Sequence, residues 1–305
     1  MPVEDLGLFL PHEHLFTDLR GPTVEDYARA DPVRVGSVMK PFLDAARDAG
    51  VAALAECSTV GVGRNLEVLN ILAAITPIYI IAPTGVYRDA YIPQELRGLQ
   101  PEELAERWIA DLTEGIQGTE IRAGFIKIAV SDEGLTPLEV GSLKAAARAN
   151  QQTGALVASH TPSGGHFCNQ MEILEGEELN PARFVWVHAN IETDMNIHVE
   201  AARRGVYVEL DAIGTDWQSQ EDLITYVLNL LDAGCEDQVL LSHDAGWYDP
   251  SQPDGHPAEG EIRGFTSLID QFIPALKGKG VSDKLIHRMT VENPARAFAF
   301  SDHAG

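Results

Sequence analysis

The chain has 305 residues, 45% of them hydrophobic, which is enough to bury a large core. Its 22 Lys plus Arg stand against 46 Asp plus Glu, a formal net charge of −24; a field of that sign repels nucleic acid and anionic membrane, so neither is an expected partner. No run approaches about 18 uninterrupted apolar residues, so no segment is expected to span a membrane.

Eight short apolar runs rich in β-formers are predicted as strands: 6–11, 51–57, 78–83, 124–129, 156–159, 184–187, 206–210 and 239–242. Amphipathic, helix-like segments separate most of them, for example 31–50, 137–154 and 194–205. These three close with Gly50, Gly154 and Gly205, where a helix C-terminus wants a positive φ. After the eighth strand comes a long loop, 245–263, full of turn residues and read as a lid or binding loop.

Strands alternating with helices imply a parallel sheet, either open and doubly wound or closed. An open dinucleotide-binding sheet should carry GxGxxG after its first strand, and none stands there. The GVGRN stretch at Gly61 follows the second strand and lacks the third glycine. Eight strand–helix units in this length predict an α/β chain folded as a single (β/α)8 TIM barrel over residues 1–305. The three cysteines, Cys57, Cys168 and Cys235, show no CxxC spacing and read as reduced structural thiols. The start, MPVEDLGLFLPHEH, lacks a basic stretch followed by a long apolar one, so no signal peptide is expected and the expected location is the cytoplasm.

Barrel enzymes gather their chemistry at the C-terminal ends of the strands. The first strand ends in Pro11-His12-Glu13-His14, where i and i+2 share a side, so His12 and His14 can both face the axis with Glu13 turned away. Further candidates stand on or at the ends of later strands: Lys127 on the fourth, His160 on the fifth, His188 on the sixth and Asp244 on the eighth. Such a set of imidazoles and a carboxylate suits a divalent metal. Lys127 lies in an apolar strand, where a bare ammonium is costly. It either pairs with a carboxylate or condenses with carbon dioxide to a carbamate, an anion whose two oxygens can bridge two metals.

These segments resemble the phosphotriesterase family of the amidohydrolase superfamily, in particular its phosphotriesterase-like lactonases. The carriers are LPHEHLFTD, FIKIA, SHT, VHANIETD, SHDAGW and NPARAF, spread in family order over nearly the whole chain. The resemblance implies that His12, His14 and Asp244 hold a more buried metal, His160 and His188 a more exposed one, and carboxylated Lys127 bridges both. The ions would stand about 3.5–4 Å apart with a hydroxide between them, zinc being the expected occupant and Mn, Co or Fe fitting the same donors. Asp244 would accept the attacking hydroxide's proton. A homodimer is the family expectation.

The expected substrate is a small molecule. Tyr87 matches a tyrosine that the lactonases place over the site, where it can meet a leaving oxygen. Many lactonases carry arginine where Ala212 stands, which counts against acyl-homoserine lactones; Asp211 resembles an aspartate that orients a ligand. The long loop offers Trp247, Tyr248, His256 and Arg263, and Arg263-Gly-Phe resembles members acting on phosphorylated sugar lactones. Arg263 is therefore either an anion grip or a loop arginine paired with Glu259 or Glu261. The sequence thus predicts a binuclear metallohydrolase acting on a sugar-derived or phosphorylated lactone, with Tyr87, Trp247 and Arg263 toward substrate. The alternatives are an organophosphate triesterase and a metal-binding barrel without catalysis. His166, His198, His243, His256, His287 and His303 are read as non-ligands.

Overall fold

The computed structural model describes residues 7–258 and 260–300. The apolar runs become the strands β1 (Leu8–Glu13), β2 (Val51–Glu56), β3 (Tyr79–Ile81), β4 (Pro83–Gly85), β5 (Phe125–Ala129), β6 (Leu156–His160), β7 (Phe184–Val187), β8 (Tyr207–Leu210) and β9 (Val239–Leu241). The helices between them are α1 (Pro32–Asp48), α2 (Leu66–Ile75), α3 (Pro101–Thr113), α4 (Pro137–Thr153), α5 (Gly164–Gly176), α6 (Met195–Arg203) and α7 (Gln220–Asp232). Among the described residues three short α-helices follow β9, α8 (Ile273–Gly278), α9 (Asp283–His287) and α10 (Asn293–Phe298), with π-helical turns at Leu268–Phe272 and Arg288–Glu292.

The local causes are legible in α4. Pro137 occupies its first turn, Glu139 N donates to the Thr136 hydroxyl at 3.3 Å, and Thr136 N donates back to Glu139 at 3.0 Å. Leu143, Ala146, Ala147 and Asn150, at helical spacing, turn inward, and Gly154 ends the helix at φ 71°. Gly50 and Gly205 follow α1 and α6 at φ 97° each, as their positions in the sequence predict.

All strand pairs are parallel and form two ladders, β1-β2-β3 and β4 through β9. The third predicted strand, 78–83, is divided at Ala82, because Pro83 has no N–H to continue the ladder. Gly124 N donates to Ala82 O at 2.9 Å and carries the pairing across this break. At the other seam, Asp244 N donates to His12 O at 3.2 Å and His14 N to Ala245 O at 2.8 Å. The architecture is that of a (β/α)8 barrel. β1 extends two residues beyond the predicted 6–11, while Leu6 lies outside the described residues.

Inward residues alternate along the strands, as the pleat requires: Phe9, Ala53, Phe125, Leu156, Val185, Tyr207 and Leu240 form one interior cluster. Phe298 of α10 closes its lower end, with ring centres 4.8 Å from Phe9 and 5.1 Å from Phe125. A larger apolar layer lies between strands and helices. The end opposite Phe298 is left for polar side chains. Among the described residues no helix is long and apolar enough to cross a membrane.

Candidate metal centre

Simple alternation brings most of the predicted residues to one rim. Inward Phe125 is followed two residues later by Lys127, inward Ala158 by His160, and inward Leu240 by Ser242 and Asp244. β1 and β7 need corrections. A register shift between Leu10 and Glu13 changes the parity of β1, so His12 and His14 rather than Glu13 face the axis. His188 adopts a left-handed φ of 62°, which turns it inward right after inward Val187. Asp244, at φ 49°, and Trp247, at φ 73°, are also left-handed, so backbone strain concentrates at this rim.

The ligand-type atoms converge. Oδ1 of Asp244 lies 3.2 Å from Nε2 of His14 and 3.7 Å from Nε2 of His12. It is buried, yet it has no aligned hydrogen-bond partner. His12, His14 and Asp244 therefore form a cluster able to hold a cation, and His12, His188 and Asp211 form another. Three imidazoles are oriented from behind. Nδ1 of His12 is 3.3 Å from Glu209, that of His14 is 2.8 Å from the Ser58 hydroxyl, and that of His188 is 2.9 Å from Asp211. Each leaves Nε2 free for a metal, the arrangement by which outer partners fix a ligand's tautomer.

Electrostatics agree with that role. Burial holds the pKa values of His12 and His160 well below the usual imidazole range, so both offer lone pairs rather than protons. Burial would also lower His188, but the Asp211 carboxylate outweighs it and raises the value. Burial would raise Asp244, but the imidazoles of His14 and His12 hold it below the usual carboxylate range. Lys127 is 2% exposed, and its Nζ lies 5.9 Å from the centre of the Tyr87 ring. A buried lysine among imidazoles and an orphaned carboxylate oxygen are the chemistry of a donor set suited to bound cations.

These groups line a chamber of about 180 Å³ that also contains Tyr87, Arg88, Cys57 and Trp247. The Tyr87 hydroxyl is 3.1 Å from Nδ1 of His160. Trp247 packs 4.6 Å from the His14 ring and donates its indole N–H to Asp244 O at 3.0 Å. A wider cleft of about 600 Å³ shares Asp244 and Trp247 with the chamber and reaches Trp217, Glu261 and Arg263.

Arg263 stands at the rim, but one of its terminal nitrogens donates to the carbonyls of His243, at 3.1 Å, and Asp244. Glu261 is engaged by His256 at 2.6 Å, while Glu259 lies outside the described residues. Tyr248 is buried and stacks on Phe16 at 5.8 Å, away from the chamber. His243 pairs with Glu13 and His198 with Ala189 O; His166 contacts Ser163 and His287 is exposed, while His303 lies outside the described residues. Cys168 is exposed on α5, whereas Cys57 and Cys235 are buried. Sequence reasoning missed Glu209, Ser58 and Arg88. For Glu209 a signal existed: it precedes Asp211 by two residues at the end of β8, where extended backbone turns both to one side.

The model of the phosphotriesterase family matches residues 1–298. A phosphotriesterase homology protein of Mycobacterium tuberculosis is 31% identical over 96% of this chain and 94% of its own. An aryldialkylphosphatase of Saccharolobus solfataricus is 28% identical over 97% of this chain and 96% of its own. Among solved structures, an organophosphate hydrolase engineered from a weak promiscuous lactonase template superposes with a TM-score of 0.88, at 28% identity, over 98% of this chain and 97% of that one.

Proposed function

From the premise that this chain belongs to the phosphotriesterase family of metal-dependent ester hydrolases, we propose that it opens a lactone, sugar-derived or phosphorylated. The proposed cofactor is a pair of divalent ions, zinc first, with Mn, Co or Fe as alternatives. In this reading His12, His14 and Asp244 would hold one ion and His160 and His188 the other, and a carbamate on Lys127 would supply the anionic oxygens shared by the pair. Bound cations supply Lewis acidity and make water acidic enough to ionise near neutral pH.

The chain's own residues do the rest. Neutral imidazoles present lone pairs at fixed angles. Asp244, held ionised, accepts the proton of the attacking water. Tyr87 presents its hydroxyl to the leaving oxygen, Trp247 walls the chamber against the cleft, and Arg263 faces the distal part of the substrate from the rim.

The observation that carries the lactone reading is the Tyr87 hydroxyl, 3.1 Å from Nδ1 of His160 inside a chamber of about 180 Å³. A planar cyclic ester fits beside it, and its leaving oxygen stays tethered within reach. The lactonase template of a structural relative supports the same reading. A second reading, an organophosphate triesterase, is supported by the aryldialkylphosphatase among the relatives. The proposed location is the cytoplasm and the proposed assembly a homodimer.

The test compares kcat/KM of metal-loaded protein on a lactone panel and on an aryl phosphotriester. Lactones are expected to win, and a phosphotriester preferred by orders of magnitude would reverse the order. Metal-dependent turnover abolished by Asp244→Asn, with the fold intact, would eliminate the remaining alternative, a metal-binding barrel without catalysis.

A further inference from the structure

The protein is strongly acidic, so an anionic substrate needs a local cation. Two arginines stand near the chamber, and they are differently occupied. Arg263 lines the outer cleft and hydrogen-bonds the carbonyls of His243 and Asp244. Arg88 lines the chamber itself, with Lys127, His160 and Asp244.

The guanidinium of Arg88 is held rigidly but only partly used. Its carbon lies 5.3 Å from the centre of the Tyr87 ring and 5.9 Å from that of Tyr91, so two aromatic rings fix its plane. Nη1 donates to Asp132 at 2.7 Å, but the Asp132 side chain is 64% exposed, so water screens that pair. Nε is buried without a partner, and among the described residues nothing accepts from Nη2 either. An oriented fork with unmet donors at the wall of a reaction chamber is built for a planar or tetrahedral anion.

We infer that Arg88 anchors an anionic group of the substrate beside the reacting carbonyl, so that the enzyme selects lactones carrying a carboxylate or phosphate one or two bonds from the ring. The inference rests on the ester-hydrolase reading for its substrate class, but not for the anion site. It also moves the anion inward, from the rim at Arg263 to the chamber beside Tyr87. Arg88 is thereby a specificity-determining residue.

The test uses metal-loaded protein and two matched substrates, the γ-lactone of 2-hydroxyglutarate and its neutral primary carboxamide. Wild type is expected to prefer the charged lactone at least tenfold in kcat/KM. In Arg88→Met, which keeps the stem packed against the tyrosines, that ratio should fall tenfold or more through a higher KM for the charged lactone. Arg88→Lys should restore part of it. Metal content is measured for each variant. A phosphate-bearing lactone in the same series separates the two anions by which gives the larger ratio.

Calorimetric binding of the two hydrolysed products gives a readout independent of turnover. If neither lactone is hydrolysed but the dianionic product binds tenfold more tightly than its amide, and Arg88→Met erases the difference, the anchor stands and the lactone reading falls. A wild type indifferent to charge, or a preference that survives Arg88→Met at normal metal content, would overturn the anchor.

Discussion

Glu13 and His243 meet across the seam where the last strand joins the first, with Nδ1 of His243 2.6 Å from Oε1 of Glu13. Each is the chain neighbour of ligand-type residues, His12 and His14 on one side and Asp244 on the other. What faces the chamber from this seam can hold cations, and what faces away locks the seam. Nε2 of His243 accepts from Leu268 N at 2.9 Å, which leaves Nδ1–H to donate to Glu13. Glu13 also accepts from the backbone N–H groups of His243, at 3.2 Å, and Ala245, at 3.0 Å.

Glu13→Ala would leave those donors buried and unmet. The expected loss is about 3–5 kcal/mol of stability, with reduced metal content, because His12, His14 and Asp244 lose their common support. Glu13→Gln keeps an acceptor and should cost less. Urea denaturation and metal analysis check both variants. An alanine variant within about 1 kcal/mol of wild type would mean the seam is held elsewhere.

The strands and the ligand-type side chains were legible because a strand's period of two and a barrel's single active rim turn sequence spacing into direction. Lys127 and His160 needed nothing more. His12 and His14 faced inward as read, but through a register shift that no residue type announces. The division of the third strand follows from Pro83, which has no N–H to offer the ladder. Arg88 and Ser58 were not legible, since loop residues take their direction from the tertiary packing. Glu209 comes from another strand than His12, whose Nδ1 it meets, so only the folded neighbourhood assigns the pair.

Lys127→Ala tests the bridge. If a carbamate on Lys127 neutralises the buried ammonium and joins two ions, the variant should lose most of its bound metal while remaining folded. Short carboxylic acids, added at millimolar concentration, should restore part of it by occupying the vacated space. Metal content by mass spectrometry and circular dichroism read the two effects separately. Full loading with two ions in the alanine variant would sink the bridge.

Two glycines with nearly the same φ separate backbone conformation from collision. Gly50 has φ 97°, and a Cβ there would meet nothing within 4 Å. Gly246 has φ 98°, and a Cβ there would lie 1.8 Å from the His14 carbonyl oxygen, at the bridge that continues the seam. Gly50→Ala should cost only its conformational strain, about 1–2 kcal/mol. Gly246→Ala should cost more than about 4 kcal/mol or fail to accumulate, because two backbones must separate. Equal midpoints in thermal denaturation would contradict this reading.

Acid should release a particular loop. Asp18 is fully buried after β1, where it accepts from Nε of Arg20 at 2.9 Å, from Nη2 of Arg20 at 2.8 Å and from Ala28 N at 2.8 Å. Burial alone would raise its pKa, but the Arg20 fork and the backbone donors outweigh it and hold the value below the usual carboxylate range. A carboxylate depressed in the folded state contributes stability that is fully present above its unfolded pKa, about 3.9, and is lost as pH falls through the lower folded value. Asp18→Asn removes the charge at every pH, so it should be less stable than wild type by about 2 kcal/mol at neutral pH. That gap should stay constant down to about pH 5 and close progressively below about pH 4, as the wild-type carboxyl takes up its proton. Urea titrations of both proteins at a series of pH values measure the difference, in which the other carboxylates and any acid-released metal cancel. A gap that persists unchanged at pH 3 would show that the contribution of Asp18 comes from shape rather than charge.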